Sequence, residues 1–127
     1  MEMIQRFNGQ GGPVAPEMPF SSVVIHDGTM YVSGTGGYDP ATGTLPDTFL
    51  GQAEQVLKNL TTAIESAGGD MNNVLKCTCF VTNMSYYKAF NELFHEYLPC
   101  QPARSCIEVV SLPAGMSIEI EAIVAMN

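Results

Sequence analysis

The sequence predicts an α+β fold, a single mixed sheet with two helices on one face. Three observations carry that expectation. Short β-favouring runs alternate apolar and polar residues. Two stretches repeat apolar residues at helical spacing. The elements follow in the order hairpin, helix, strand, helix, strand, strand, with room for a short strand at the N-terminus. A chain of 127 residues is expected to form one domain, spanning 1–127.

The first hairpin joins Ser22–Ile25 to Met30–Ser33 through His26-Asp27-Gly28-Thr29. Asp-Gly between two β-favouring runs is a strong hairpin signal, because a type I′ turn needs positive φ at both central residues. Gly34, Gly36 and Gly37 are expected to break the second strand, and Asp39-Pro40-Ala41-Thr42-Gly43 reads as a turn. A helix follows, with Phe49, Ala53, Val56, Leu57, Leu60, Ala63, Ile64 and Ala67 on one stripe. Asp47 or Thr48 can cap its start, and Gly68-Gly69 can close its end. Leu75, Cys77, Cys79 and Val81 then alternate as one face of a strand. The second helix carries Tyr86, Phe90, Leu93, Phe94 and Tyr97 on one side, an aromatic stripe expected in the core, and Pro99 stops it. Strands over 103–110 and 117–125 finish the chain, joined by a turn at Leu112-Pro113-Ala114-Gly115.

The last strand is apolar or mixed on both faces. Ile118, Ile120, Ala122 and Val124 share one side, and Glu119, Glu121, Ile123 and Ala125 the other. Two helices cover only one face of a sheet. A homo-oligomer that covers the second face, with a site between subunits, is therefore expected.

Composition narrows the function. The apolar fraction of 46% is ordinary for a globular protein. A net charge of -8, with five Lys and Arg against thirteen Asp and Glu, argues against nucleic acid and anionic membrane as primary partners. The N-terminus lacks the apolar run of a signal peptide, and no segment is long enough to span a bilayer, so a cytoplasmic location is expected. The four cysteines fit free thiols in a reducing compartment. Cys77 and Cys79 share a strand face as two metal ligands would. No second pair has suitable spacing, and His26 and His95 fall in a turn and a helix, so core thiols and no metal are expected. The sequons at Asn59 and Asn83 read as chance matches, and Gly9-Gln10-Gly11-Gly12-Pro13 as a loop that binds no phosphate.

Charge is scarce, so charge inside strands asks for a reason. Arg104 heads an otherwise apolar strand, and Glu119 and Glu121 sit in another, a short loop away. Arginine offers a fixed fork of donors that matches a carboxylate. A half-buried glutamate can orient or activate water. Together they suggest a small site for a carboxylate-bearing molecule that reacts with water. Structural alternatives stand beside this reading: Arg104 paired with Glu108 or with an acid of another subunit, and Glu119 reaching solvent. Cys106, beside Arg104, lacks an evident His or Asp partner and reads as a pocket wall.

Ser33-Gly34, Asp39-Pro40-x-Thr42-Gly43, Pro102-Ala103-Arg104-Ser105-Cys106-x-Glu108-Val109 and Ile118-Glu119-Ile120-Glu121-Ala122 resemble the Rid family. These are the reactive intermediate deaminases, also called YjgF or L-PSP proteins. The likeness runs along essentially the whole chain. It implies a fold of the Bacillus chorismate-mutase type, assembled as a trimer with clefts between subunits. It also implies cofactor-free hydrolysis of 2-imino acids, from the enamines 2-aminoacrylate and 2-aminocrotonate, to 2-keto acids and ammonia. Residue by residue, Arg104 matches the carboxylate clamp and Glu119 the residue that holds the attacking water. Cys106, Asn91, Ser33, Gly34 and the Phe20 position match the substrate-binding wall.

Three departures change the rim of that pocket. Met18-Pro19-Phe20-Ser21-Ser22 stands where the family often has Gly-Pro-Tyr-Ser-Gln, so Phe20 keeps the ring and loses the hydroxyl. Thr35 follows Ser33-Gly34 where glutamine is usual. The link from the second helix to Arg104 is shorter than usual. Tyr38 is a candidate replacement hydroxyl. A keto-acid or carboxylate-binding regulatory protein is the alternative function, and RNA cleavage a third that the acidic composition disfavours.

Overall fold

Asp27 and Gly28 both take positive φ, 54° and 78°, and close the first hairpin as the Asp-Gly pair predicts. That turn joins β2 (Val23–His26) to β3 (Thr29–Thr35). The computed structural model describes residues 3–8 and 18–127. The glycine-rich segment at 9–13 lies outside the described residues. The short N-terminal strand is present as β1 (Gln5–Phe7), paired antiparallel with β2.

Helix α1 (Phe49–Ser66) is capped by Thr48, whose Oγ1 accepts a hydrogen bond from the Gly51 N–H at 3.0 Å. At its other end Gly68 turns at φ 89°, and the Gly69 N–H returns to the Ile64 carbonyl. The predicted stripe is buried: Phe49, Ala53, Val56, Leu57, Leu60, Ala63 and Ile64 all face the sheet core. Helix α2 (Tyr87–Tyr97) buries Phe90 and Phe94. A tight turn, with the Gln101 N–H bonded to the Leu98 carbonyl and Gln101 at φ 56°, closes the short link to the next strand.

The remaining strands are β4 (Val74–Val81), β5 (Ala103–Glu108) and β6 (Ile118–Ala125). The sheet order is β1-β2-β3-β6-β4-β5. All pairs are antiparallel except β4 with β5, so the sheet is mixed, as expected. Ile118, Ile120, Ala122 and Val124 are buried toward the helices, together with Cys77, Cys79 and Val81. On the other face Tyr31 and Ile107 are about half exposed, and Phe80 and Ile123 are partly so. No helix among the described residues is long and apolar enough to cross a membrane.

Four details differ from the sequence expectation. Leu75 does not share the core face of β4; it is 52% exposed, and Val74 is buried instead. A register irregularity between Val74 and Lys76 rotates the strand there. Gly34 does not break β3. The strand runs to Thr35 through a second irregularity between Val32 and Thr35. The last two strands are also shorter, since β5 ends at Glu108 and Val110 is fully exposed. Tyr86 is not part of α2. It belongs to a 3-10 turn over Met84–Tyr86, and its ring stacks on Phe49 at 4.7 Å.

Candidate functional site

Register fixes which way each candidate residue points. Arg104 is level with Cys77, and Cys106 with Cys79. Adjacent strands in register share faces, so Arg104 and Cys106 lie on the helix side. Glu119 is level with Phe80, and Phe80 with Ile107, which puts Glu119 on the open side. Strand β4 runs between β5 and β6. Within one chain, then, Arg104 and Glu119 lie on opposite faces of the sheet and do not meet. The structure brings the predicted residues together as two half-sites.

The first half-site is built on α2. Arg104 Nη2 donates to Asn91 Oδ1 at 2.8 Å and to the Tyr87 hydroxyl at 3.2 Å. The guanidinium carbon stands 4.9 Å from the Phe94 ring centre, 5.6 Å from Phe90 and 5.5 Å from Tyr87. Aromatic faces attract the cation without neutralising it. Nη1 and Nε have no protein hydrogen-bond partner among the described residues. Glu108, the ion-pair partner weighed for Arg104, accepts the Met84 N–H at 2.7 Å instead. A hollow of about 270 Å³ opens beside the guanidinium, with Asn91, His95 and Gln101 among its walls.

Asn91 thus bonds the arginine, where the sequence placed it only in the cleft wall. Tyr87 was missed. Its signal is present in the sequence, since 87, 90, 91 and 94 share a helical stripe beside the core-facing Phe90 and Phe94. Cys106 is half-buried, and burial raises its thiol pKa while Arg104 opposes the rise only in part. That leaves it a poor nucleophile and fits a wall. Cys77 is a buried core thiol, pushed up to about 12 chiefly by burial; Cys79 is pushed up further, for the same reason.

The second half-site opens on the other face as a cavity of about 470 Å³, lined by Glu119, Gly34, Ser33, Phe20, Tyr38 and Met116 among others. The irregularity in β3 falls at Ser33-Gly34 and brings bare backbone up to the acid. A Cβ on Gly34 would strike the Glu119 carboxyl. Ser33 Oγ donates to the Ser21 carbonyl at 2.6 Å and so ties the Phe20 segment to β3. Burial, with a smaller contribution from Glu121, holds the Glu119 carboxyl above the usual carboxylate range. A raised pKa makes the ionised carboxylate a stronger base, suited to taking and returning a proton. Tyr38, singled out only as a candidate, does line this cavity.

A model of the family described as endoribonuclease L-PSP matches residues 12–126. The chain is 41% identical over 107 residues to the mouse protein named 2-iminobutanoate/2-iminopropanoate deaminase, covering 83% of this chain and 79% of that one. The human protein of the same name is 37% identical, with 83% and 78% covered. Among solved structures, RidA from an Antarctic Psychrobacter superposes with a TM-score of 0.89 at 36% identity, covering 96% of this chain and 99% of that one. A Thermotoga maritima protein described as a putative endoribonuclease gives 0.89 at 36%, covering 97% and 98%.

Proposed function

The chain belongs to the L-PSP family, which includes the reactive intermediate deaminases, and from that premise we propose that it hydrolyses 2-imino acids to 2-keto acids and ammonia. The observation that carries the site assignment is the uncompensated guanidinium. In a chain with five basic residues, Arg104 is anchored by a neutral amide and three rings, one of them the Tyr87 phenol, and two of its nitrogens stay available. A planar carboxylate is the complementary ligand.

The reaction needs both half-sites. A copy of the chain contributes Arg104, Asn91 and Cys106, and a neighbouring copy contributes Glu119, Ser33, Gly34 and Phe20. The uncovered face, with Tyr31, Phe80, Ile107 and Ile123, supports such an assembly, and the family resemblance favours a homotrimer. Arg104 clamps the substrate carboxylate. Glu119 takes a proton from water as the water oxygen bonds to C2. Glu119 returns that proton to the carbinolamine nitrogen; the C2–N bond then breaks, ammonia leaves with the electron pair, and the carbinol hydroxyl gives its proton to Glu119 as the C2–O bond becomes the keto group. The imine carbon is already electrophilic, so positioning and one proton shuttle are a sufficient demand, and no cofactor enters.

The test generates 2-aminoacrylate and 2-aminocrotonate in situ with a serine/threonine dehydratase, with semicarbazide competing for the imine. Wild-type protein is expected to accelerate keto acid release. No acceleration, with keto acid still bound, would replace this reading by the binding-protein one, which the hydroxyl-free ring of Phe20 in the cavity wall favours.

A further inference from the structure

We infer that Tyr38 contacts the substrate, its phenol donating a hydrogen bond to the reacting end of the bound imino acid across the cavity from Glu119. The inference rests on the imine-hydrolase reading and adds a residue to it. The cavity walls are mostly apolar, so their few polar groups set the orientation of whatever enters. The lining residues that carry a hydroxyl or a carboxyl are Glu119, Ser33 and Tyr38. The Ser33 proton is already engaged by the Ser21 carbonyl. The Tyr38 hydroxyl has no hydrogen-bond partner among the described residues.

The backbone that presents Tyr38 is unusually well fixed for a loop. Asn59, 6% exposed, donates from Nδ2 to the Tyr38 carbonyl at 2.7 Å and to the Gly36 carbonyl at 3.0 Å. Its Oδ1 accepts from Gln55 at 2.9 Å, which sets the amide's orientation. Between the two clamped carbonyls, Gly37 lies against α1 so closely that a Cβ would meet the Gln52 carbonyl oxygen at 2.7 Å. On the far side the Asp39 N–H bonds the Thr44 carbonyl at 2.9 Å. A buried asparagine spent on two loop carbonyls is a costly device unless the loop must hold a position. The side chain it holds in place, at the wall of the Glu119 cavity, is Tyr38.

Tyr38→Phe removes one oxygen and keeps the ring. In the dehydratase-coupled assay the variant is expected to lose kcat about tenfold or more, with KM and the melting temperature little changed. A variant with wild-type kcat would overturn the inference while leaving the hydrolase reading intact. A second readout separates the two. The chain has no tryptophan and five tyrosines, so binding of 2-ketobutyrate can be followed by tyrosine difference absorbance. A hydrogen bond from Tyr38 predicts a difference band that Tyr38→Phe abolishes. If wild type fails to turn over imines but shows that band, the contact stands and the hydrolase reading falls. If the band is unaltered in Tyr38→Phe, the contact is refuted whatever the turnover.

Discussion

Replacing Arg104 with alanine should lower kcat/KM for imine hydrolysis by about 100-fold or more, because a charge-assisted clamp on a carboxylate is lost. The fold should survive. Arg104 sits on an edge strand, and its protein partners are Asn91, Tyr87 and the rings of α2. Losing contacts of that kind costs about 1 kcal/mol or less at a partly exposed site. Arg104→Lys should recover little, since an ammonium is a point charge and cannot hold Asn91 while presenting the further N–H donors of a planar guanidinium. Steady-state kinetics alongside thermal melts decide the matter. Wild-type turnover by Arg104→Ala would remove the clamp from the account.

Glu119→Gln should cost about 100-fold or more in kcat yet still bind keto acid, because the amide keeps the shape and loses the base. Its stability should move the other way. In the described chain the folded-state pKa of Glu119 is raised, by burial first and Glu121 second. The folded protein therefore binds more protons than the unfolded chain between the two pKa values, and stability falls as pH rises through that window. The penalty is complete above the folded pKa and absent below the unfolded one, near 4.3. Glu119→Gln escapes it, so the variant should melt higher than wild type at pH 7, with the gap closing toward pH 4. A variant that melts lower at pH 7 would show that a cation of another copy rests against the carboxyl.

Legibility in the sequence followed the range of the interactions. The Asp27-Gly28 turn, the α1 stripe and its Thr48 cap are local, and each could be read from a few neighbouring residues. The strand faces at 118–125 were readable by parity alone. Parity fails where a strand carries an irregularity: it points Leu75 to the core where Val74 is buried, and Gly34 reads as a strand end though β3 runs on to Thr35. The aromatic stripe holds at Phe90 and Phe94, with Leu93 and Tyr97 against the core, and fails only at Tyr86, because the 3-10 turn at Met84–Tyr86 breaks the helical phase before α2 begins. Arg104 and Glu119 were legible as residue types out of place in apolar strands. Their separation was not. They are 15 positions apart (119 − 104), but β4, from earlier in the chain, runs between their strands, and only its pairing reveals that the two point to opposite faces. The expectation of a site between subunits came from the uncovered face of 118–125, not from any reading of where Arg104 and Glu119 point.

Complementation tests that composite site most directly. Arg104→Ala and Glu119→Gln chains, each inactive alone, are co-expressed in equal amounts, and the whole oligomer population is purified and assayed. A chain lacking Arg104 still brings Glu119, and a chain lacking Glu119 still brings Arg104. If each cleft takes one half-site from each of two neighbours, random assembly completes about a quarter of the clefts, and the mixture should recover about a quarter of wild-type activity. If both residues act within one chain, no cleft is repaired, and a mixture as inactive as its parents would contradict the account.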